Sequence, residues 1–161
     1  MNELEHHKEV ARHLKRKYPK TIFRTDYGAG LKLTVGQART QARLQQGRAY
    51  PDLFIAEPIG EYHGLYIELK TPDTQLKRTK PSRKILKGDS DIRKPGDWWD
   101  KHIQEQAETL QKLAQKGYAS CFALGHLHAK GIIDDYMSGG EIGFSSEVEV
   151  DESIPEDDSP F

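Results

Sequence analysis

Between Tyr50 and Pro72 the chain reads YPDLFIAEPIGEYHGLYIELKTP, with Asp52 at the head of one apolar run and Glu68-Leu69-Lys70 at the end of the next. The turn EPIGEYH is centred on Gly60, so a symmetric antiparallel register sets Leu53 against Ile67, Phe54 against Tyr66 and Ile55 against Leu65. One step further, Asp52 falls opposite Glu68, and Lys70 projects from the same face because side chains alternate along a strand. Opposed positions have Cβ atoms about 4.5–5.5 Å apart, where like charges are destabilising. A divalent cation removes that conflict. Mg²⁺ takes oxygen ligands and keeps several waters, and a neighbouring ammonium can help deprotonate one of them or neutralise a phosphate. Asp52, Glu68 and Lys70 in this register suit metal-assisted hydrolysis of a phosphodiester. Three charged residues alone also fit a surface Glu–Lys pair beside a turn aspartate; the register separates the two readings.

The elements that must hold these residues follow from periodicity. Leu4, His7, Ala11, Leu14 and Tyr18 recur at helical spacing, which predicts an amphipathic helix over 3–17, ended by Pro19. A short strand is expected at Thr21–Arg24, a turn at DYGAG, and strands at Asp52–Glu57 and His63–Lys70. Arg39 and Arg43 sit one helical turn apart in a basic segment that runs to Arg48, with Gly47 as its stop. Ile103, Ala107, Leu110 and Ala114 predict a second helix closed by Gly117, then a strand at Tyr118–Leu124 and a last helix in AKGIIDDYMSGG. This order gives a mixed α/β domain.

Composition narrows the partners. At 161 residues, with a mean hydropathy of −0.78, the chain suits one charge-rich domain of ordinary size over residues 1–140. No stretch approaches the roughly 20 apolar residues of a membrane span, and the polar start shows no signal peptide. Cys121 stands alone, so neither an internal disulfide nor a cysteine zinc site is available, which fits a reducing cytoplasm. Eight of the 25 acidic residues lie in 141–161, which has no Lys or Arg, leaving 24 basic against 17 acidic residues elsewhere. A body at +7 calls for a polyanion, while the acidic tail has the composition of a disordered segment. The histidines His6, His7, His13, His126 and His128 read as helix-surface residues, without supporting ligands nearby in sequence.

YPDL…IELK has the form of the PD-(D/E)xK nuclease signature, and the likeness extends beyond it. ARLQQGRAYPDLFIAEPIGEYHGLYIELKTP resembles the central block of the VRR-NUC family, EHHKEVARHLKRKYP its first helix, and EQAETLQKLAQKGYA its later helix. The match covers roughly residues 5–72 and 102–136, although ARHLKRK stands where the family has Val-Arg-Arg. The resemblance implies a restriction-endonuclease-like mixed sheet flanked by helices, and cleavage of DNA with Mg²⁺ or Mn²⁺. It implies that Asp52 and Glu68 bind metal through carboxylates and Leu69 through its carbonyl. It also implies that Lys70 is the catalytic lysine and Gln106 the helix glutamine of the site. Glu5 is the best match to the first-helix acidic ligand, with Glu3 and Glu9 on the same helix.

Compact bacterial and phage members of that family resemble Holliday-junction resolvases acting as homodimers, so the resemblance points to branched DNA and a twofold enzyme. A flap or restriction-type nuclease is the alternative enzyme, and a non-catalytic DNA-binding replication-accessory module the alternative class. The family's short link between its E-x-K strand and glutamine helix is replaced here by a basic insertion over 73–99. It carries Lys77, Arg78, Lys80, Arg83, Lys84, Lys87, Arg93 and Lys94, then Trp98 and Trp99. With Arg39, Arg43 and Arg48 these cations are candidates for phosphate contact. The tryptophans could stack on unpaired bases or cap the next helix against the core. The tail ends EDDSPF, similar to the acidic, Phe-terminated tips of single-stranded-DNA-binding proteins. It is therefore expected to recruit a replication partner, to screen the DNA surface, or simply to keep the chain soluble.

Overall fold

A computed structural model describes residues 1–26, 32–86, 89–140 and 142, and for 83–86 and 89–90 the backbone alone. Helix α1 spans Glu3–Lys17, strand β1 Phe23–Thr25, helix α2 Val35–Arg43, strand β2 Leu53–Ile55 and strand β3 Leu65–Lys70. Strands β4 (Ser82–Leu86) and β5 (Asp89–Arg93) precede helix α3 (Lys101–Gln115), strand β6 (Ala119–Leu124) and helix α4 (Gly125–Met137). Tyr27 to Gly30 of the DYGAG turn lie outside the described residues, as does the acidic tail apart from Ile142. Among the described residues no helix is long and apolar enough to cross a membrane.

The main sheet has the order β1-β2-β3-β6. β2 and β3 pair antiparallel as Leu53–Ile67, Phe54–Tyr66 and Ile55–Leu65, the register set by the Gly60-centred turn, where Gly60 has φ +57°. Gly64 is required just before β3, because a Cβ there would stand 2.8 Å from the carbonyl oxygen of Ile55. β3 and β6 run parallel, Glu68 beside Phe122, joined through α3 as a parallel pair requires. β3 is therefore central, and its residues from Leu65 to Leu69 are all buried.

The two sheet faces bury different kinds of residue. Leu53, Ile55, Leu65, Ile67 and Leu69 join Val10 and Leu14 of α1 and Ala129, Ile133 and Tyr136 of α4 in the apolar core. On the other face α3 lays Ile103, Gln106, Ala107 and Leu110 over β3 and β6, and Ser120 Oγ donates to the Leu110 carbonyl at 2.6 Å. Glu68 lies on this second face, beneath α3.

The insertion is more ordered than a loop reading of 73–99 expects. β4 and β5 form a separate antiparallel hairpin, Ser82–Arg93 through Leu86–Asp89. Its base is closed by backbone bonds from Arg78 N to Asp97 O (2.8 Å) and from Trp99 N to Leu76 O (2.7 Å). α2 is capped by Thr34, which accepts from the Gln37 N–H, and buries none of its residues.

Candidate active site

The site begins at the end of β3. Glu68 is 3% exposed, and its Oε1 accepts from Gln106 Nε2 at 2.6 Å while Lys70 Nζ lies 3.2 Å from the same oxygen. Its second oxygen, Oε2, is buried and has no hydrogen-bond partner among the described residues; the same holds for Gln106 Oε1. An unsatisfied buried carboxylate oxygen is costly. Burial pushes the Glu68 carboxyl above the ordinary range, against the opposing pull of Lys70.

Asp52 approaches from β2. Its Oδ2 accepts the Leu69 N–H at 3.0 Å, which ties the carboxylate to the β3 backbone beside Glu68. Burial first, and the Glu68 charge second, push Asp52 up to about 8, while the Leu69 hydrogen bond and Lys70 pull the other way. Each of the two carboxyls therefore holds its proton more tightly than an exposed carboxyl does. A divalent cation can displace that proton and satisfy the bare Glu68 oxygen, so the donors present fit an oxygen-seeking ion.

Two acids of the first helix, Glu5 and Glu3, are placed differently relative to Asp52. Glu5 is the N3 residue of a capping box: its Oε2 accepts the Asn2 N–H at 2.7 Å while Asn2 Oδ1 accepts the Glu5 N–H at 3.0 Å. Its carboxylate is committed to the helix end. Glu3 lies nearer the site, and ligand atoms of Glu3, His7 and Asp52 all fall within 4.8 Å of one another. His6 and His7 are also not surface residues, at 3% and 2% exposure. His6 Nδ1 meets His126 Nδ1 at 2.9 Å, whereas His7 faces the acidic cluster. Glu3, an alternative to Glu5 on this helix, and His7 are thus neighbours of Asp52. Their i, i+4 spacing on a helix was the available signal.

The expected DNA-contact residues divide into groups. Arg39 and Arg43 on α2 are exposed, and Arg48 is exposed and 3.3 Å from Glu105. Lys80 is exposed, whereas the Arg83 and Lys84 side chains lie outside the described residues. Lys77 Nζ stands 4.9 Å above the Trp98 ring, and the Arg78 guanidinium 3.9 Å above that of Trp99. Trp98 in turn meets Phe122 of β6 at 5.8 Å. Both tryptophans are half-buried and bind the hairpin base to the body.

No family model matches the chain, and no curated protein matches it. In three dimensions it is similar to a solved VRR_NUC domain protein, with a TM-score of 0.55 and 21% identity over 92% of this chain and 98% of that one. The fold is therefore the α/β fold of a VRR-NUC domain, in agreement with the resemblance in the sequence.

Proposed function

We propose that the chain is a metal-dependent DNA endonuclease. The observation that carries this reading is the bare, buried Oε2 of Glu68 beside an Asp52 carboxyl, with Lys70 and Gln106 converging on the other Glu68 oxygen. Asp52 and Glu68 hold Mg²⁺, or Mn²⁺ in its place, through their carboxylates, and Leu69 offers its carbonyl. The bound ion supplies charge stabilisation at the phosphate and a more acidic water. Lys70, as an ammonium, orients the attacking water and neutralises the phosphate it meets, while the water's proton leaves to solvent. Gln106 is a positioning residue that fixes the Glu68 rotamer.

The preferred substrate is branched DNA, and the working unit is a homodimer making paired cuts. Arg39, Arg43, Arg48 and the cations of the 73–99 insertion other than Arg78 serve as phosphate contacts, and the tail over 141–161 serves as a docking segment for a replication protein. The test is incubation with linear duplex, flap and four-way-junction DNA, with Mg²⁺ or with EDTA. Metal-dependent cutting with the junction cut fastest is expected. Equal rates on all three DNAs would remove the branched preference, and tight binding without cutting would leave a binding module.

A further inference from the structure

We propose that His7 is a nitrogen ligand of this cation site, joining Glu3 and Asp52, and that it makes the site bind Mn²⁺ more tightly than Mg²⁺. The inference rests on the reading above, that Asp52 belongs to a cation site, and adds an imidazole and a metal preference to it.

The first argument is an unpaired atom. His7 is 2% exposed, and its Nε2 is buried without a hydrogen-bond partner among the described residues. Glu3 Oε1 is 3.9 Å away, too far for a hydrogen bond. A buried imidazole nitrogen pointed at two carboxylates, yet bonded to neither, has the setting of a ligand rather than of a core histidine.

The second argument is the other ring nitrogen. His7 Nδ1 lies 2.5 Å from Thr25 Oγ1, on β1. With Nδ1–H donating to that hydroxyl, the Nε2 lone pair is left bare and aimed at the cluster. Metal-binding histidines are held in this way, the second nitrogen donating to a neighbouring acceptor that fixes tautomer and ring plane. Thr25 is therefore a positioning residue.

The third argument is separation. Ligand atoms of Glu3, His7 and Asp52 lie within 4.8 Å of one another. Metal–ligand distances of about 2.1 Å put opposed ligands about 4.2 Å apart and adjacent ones about 3 Å apart, so side-chain shifts of up to about 2 Å close the set. Two carboxylates and an imidazole form a mixed oxygen–nitrogen set. Mg²⁺ gains little from the nitrogen, whereas divalent transition ions gain more.

The test uses the full chain and Mn²⁺ itself. Pulsed electron paramagnetic resonance of bound Mn²⁺ should show modulation from a directly bonded imidazole ¹⁴N, absent in His7→Gln. Calorimetry should show Mn²⁺ affinity falling about ten-fold or more in His7→Gln and to a smaller extent in Thr25→Val, with Mg²⁺ affinity changing less than about three-fold. Circular dichroism and thermal melting establish that each variant is folded; should His7→Gln fail to fold, the wild-type ¹⁴N signal and the Thr25→Val titration decide. The proposal is overturned if wild type binds no Mn²⁺, if bound Mn²⁺ shows no nitrogen, if folded His7→Gln keeps the signal, or if both metals lose affinity equally. A chain that cuts DNA but shows no nitrogen loses this inference and keeps the nuclease reading. A chain that shows the nitrogen but cuts no DNA does the reverse.

Discussion

Gln106 Nε2 stands 2.6 Å from Glu68 Oε1, a buried side-chain hydrogen bond that joins α3 to the central strand. Because Lys70 approaches the same oxygen at 3.2 Å, the carboxylate is oriented from one side and its other oxygen is left without a hydrogen-bond partner among the described residues. Gln106→Ala removes the orienting donor and leaves every proposed metal-binding carboxylate in place. Metal affinity and cutting rate should each fall by about 10–100-fold, the usual cost of losing a partner that orients a ligand. Calorimetry and single-turnover cleavage would check this; wild-type values for both would show that Gln106 only packs.

Asp52 gives a prediction about stability. Its folded-state pKa of about 8 lies above the unfolded value of about 3.9, so the native chain binds more protons in between. Stability therefore falls as pH rises through that interval, and Glu68, also raised, acts in the same direction. His6 and His7, both lowered by burial, act oppositely but only below about 6.5. Asp134 is held down at about 2 by hydrogen bonds from Tyr18, His13 and Lys17 against the effect of burial, so its contribution changes only below about 4. Between pH 7 and 8.5 the carboxyl pair dominates. In EDTA the melting temperature should fall across that window in wild type and stay nearly level in Asp52→Asn. The substitution should stabilise the metal-free chain at pH 8.5 by about 1 kcal/mol or more, a few degrees in melting temperature. A variant that melts earlier than wild type at pH 8.5 would contradict the carboxyl-pair account.

The insertion separates a structural cation from the proposed DNA contacts. Arg78 stacks on Trp99 and donates through Nε to the Trp99 carbonyl at 3.2 Å. Arg78→Ala should therefore lower stability by about 1 kcal/mol, as loss of a cation–π contact and a hydrogen bond does. Joint replacement of Lys80, Arg83 and Lys84 by alanine should leave the melting temperature alone. It should reduce the salt dependence of DNA binding by up to about three in slope, at roughly 0.9 for each phosphate contact. Binding measured from low to moderate salt decides this. An unchanged slope removes the hairpin from the DNA interface.

The β2–β3 pairing was legible because one glycine-centred turn leaves little choice of register, and a slip of one residue would turn Leu53, Ile55 and Ile67 out of the core. The β4–β5 hairpin was not legible. SRKIL and DSDIR lack apolar alternation, and their strand character rests on pairing with each other. Asn2 with Glu5 three residues on is a capping-box pattern that engages the Glu5 carboxylate at the helix end, while Glu3 lies beside Asp52. His7 has the spacing of a core residue and is buried like one. Its unpaired nitrogen becomes visible only when Thr25 and Asp52 are brought beside it by the fold.

The central claim is that Asp52 and Glu68 share a catalytic cation. It is tested most directly by single-turnover cleavage of an end-labelled four-way junction by wild type and Glu68→Ala, each with Mg²⁺ and with EDTA. Cutting by wild type with Mg²⁺ alone, and its loss by about three orders of magnitude or more in Glu68→Ala, is the predicted result. Wild-type cutting that persists in EDTA, cutting that survives Glu68→Ala, or no cutting by wild type would contradict it.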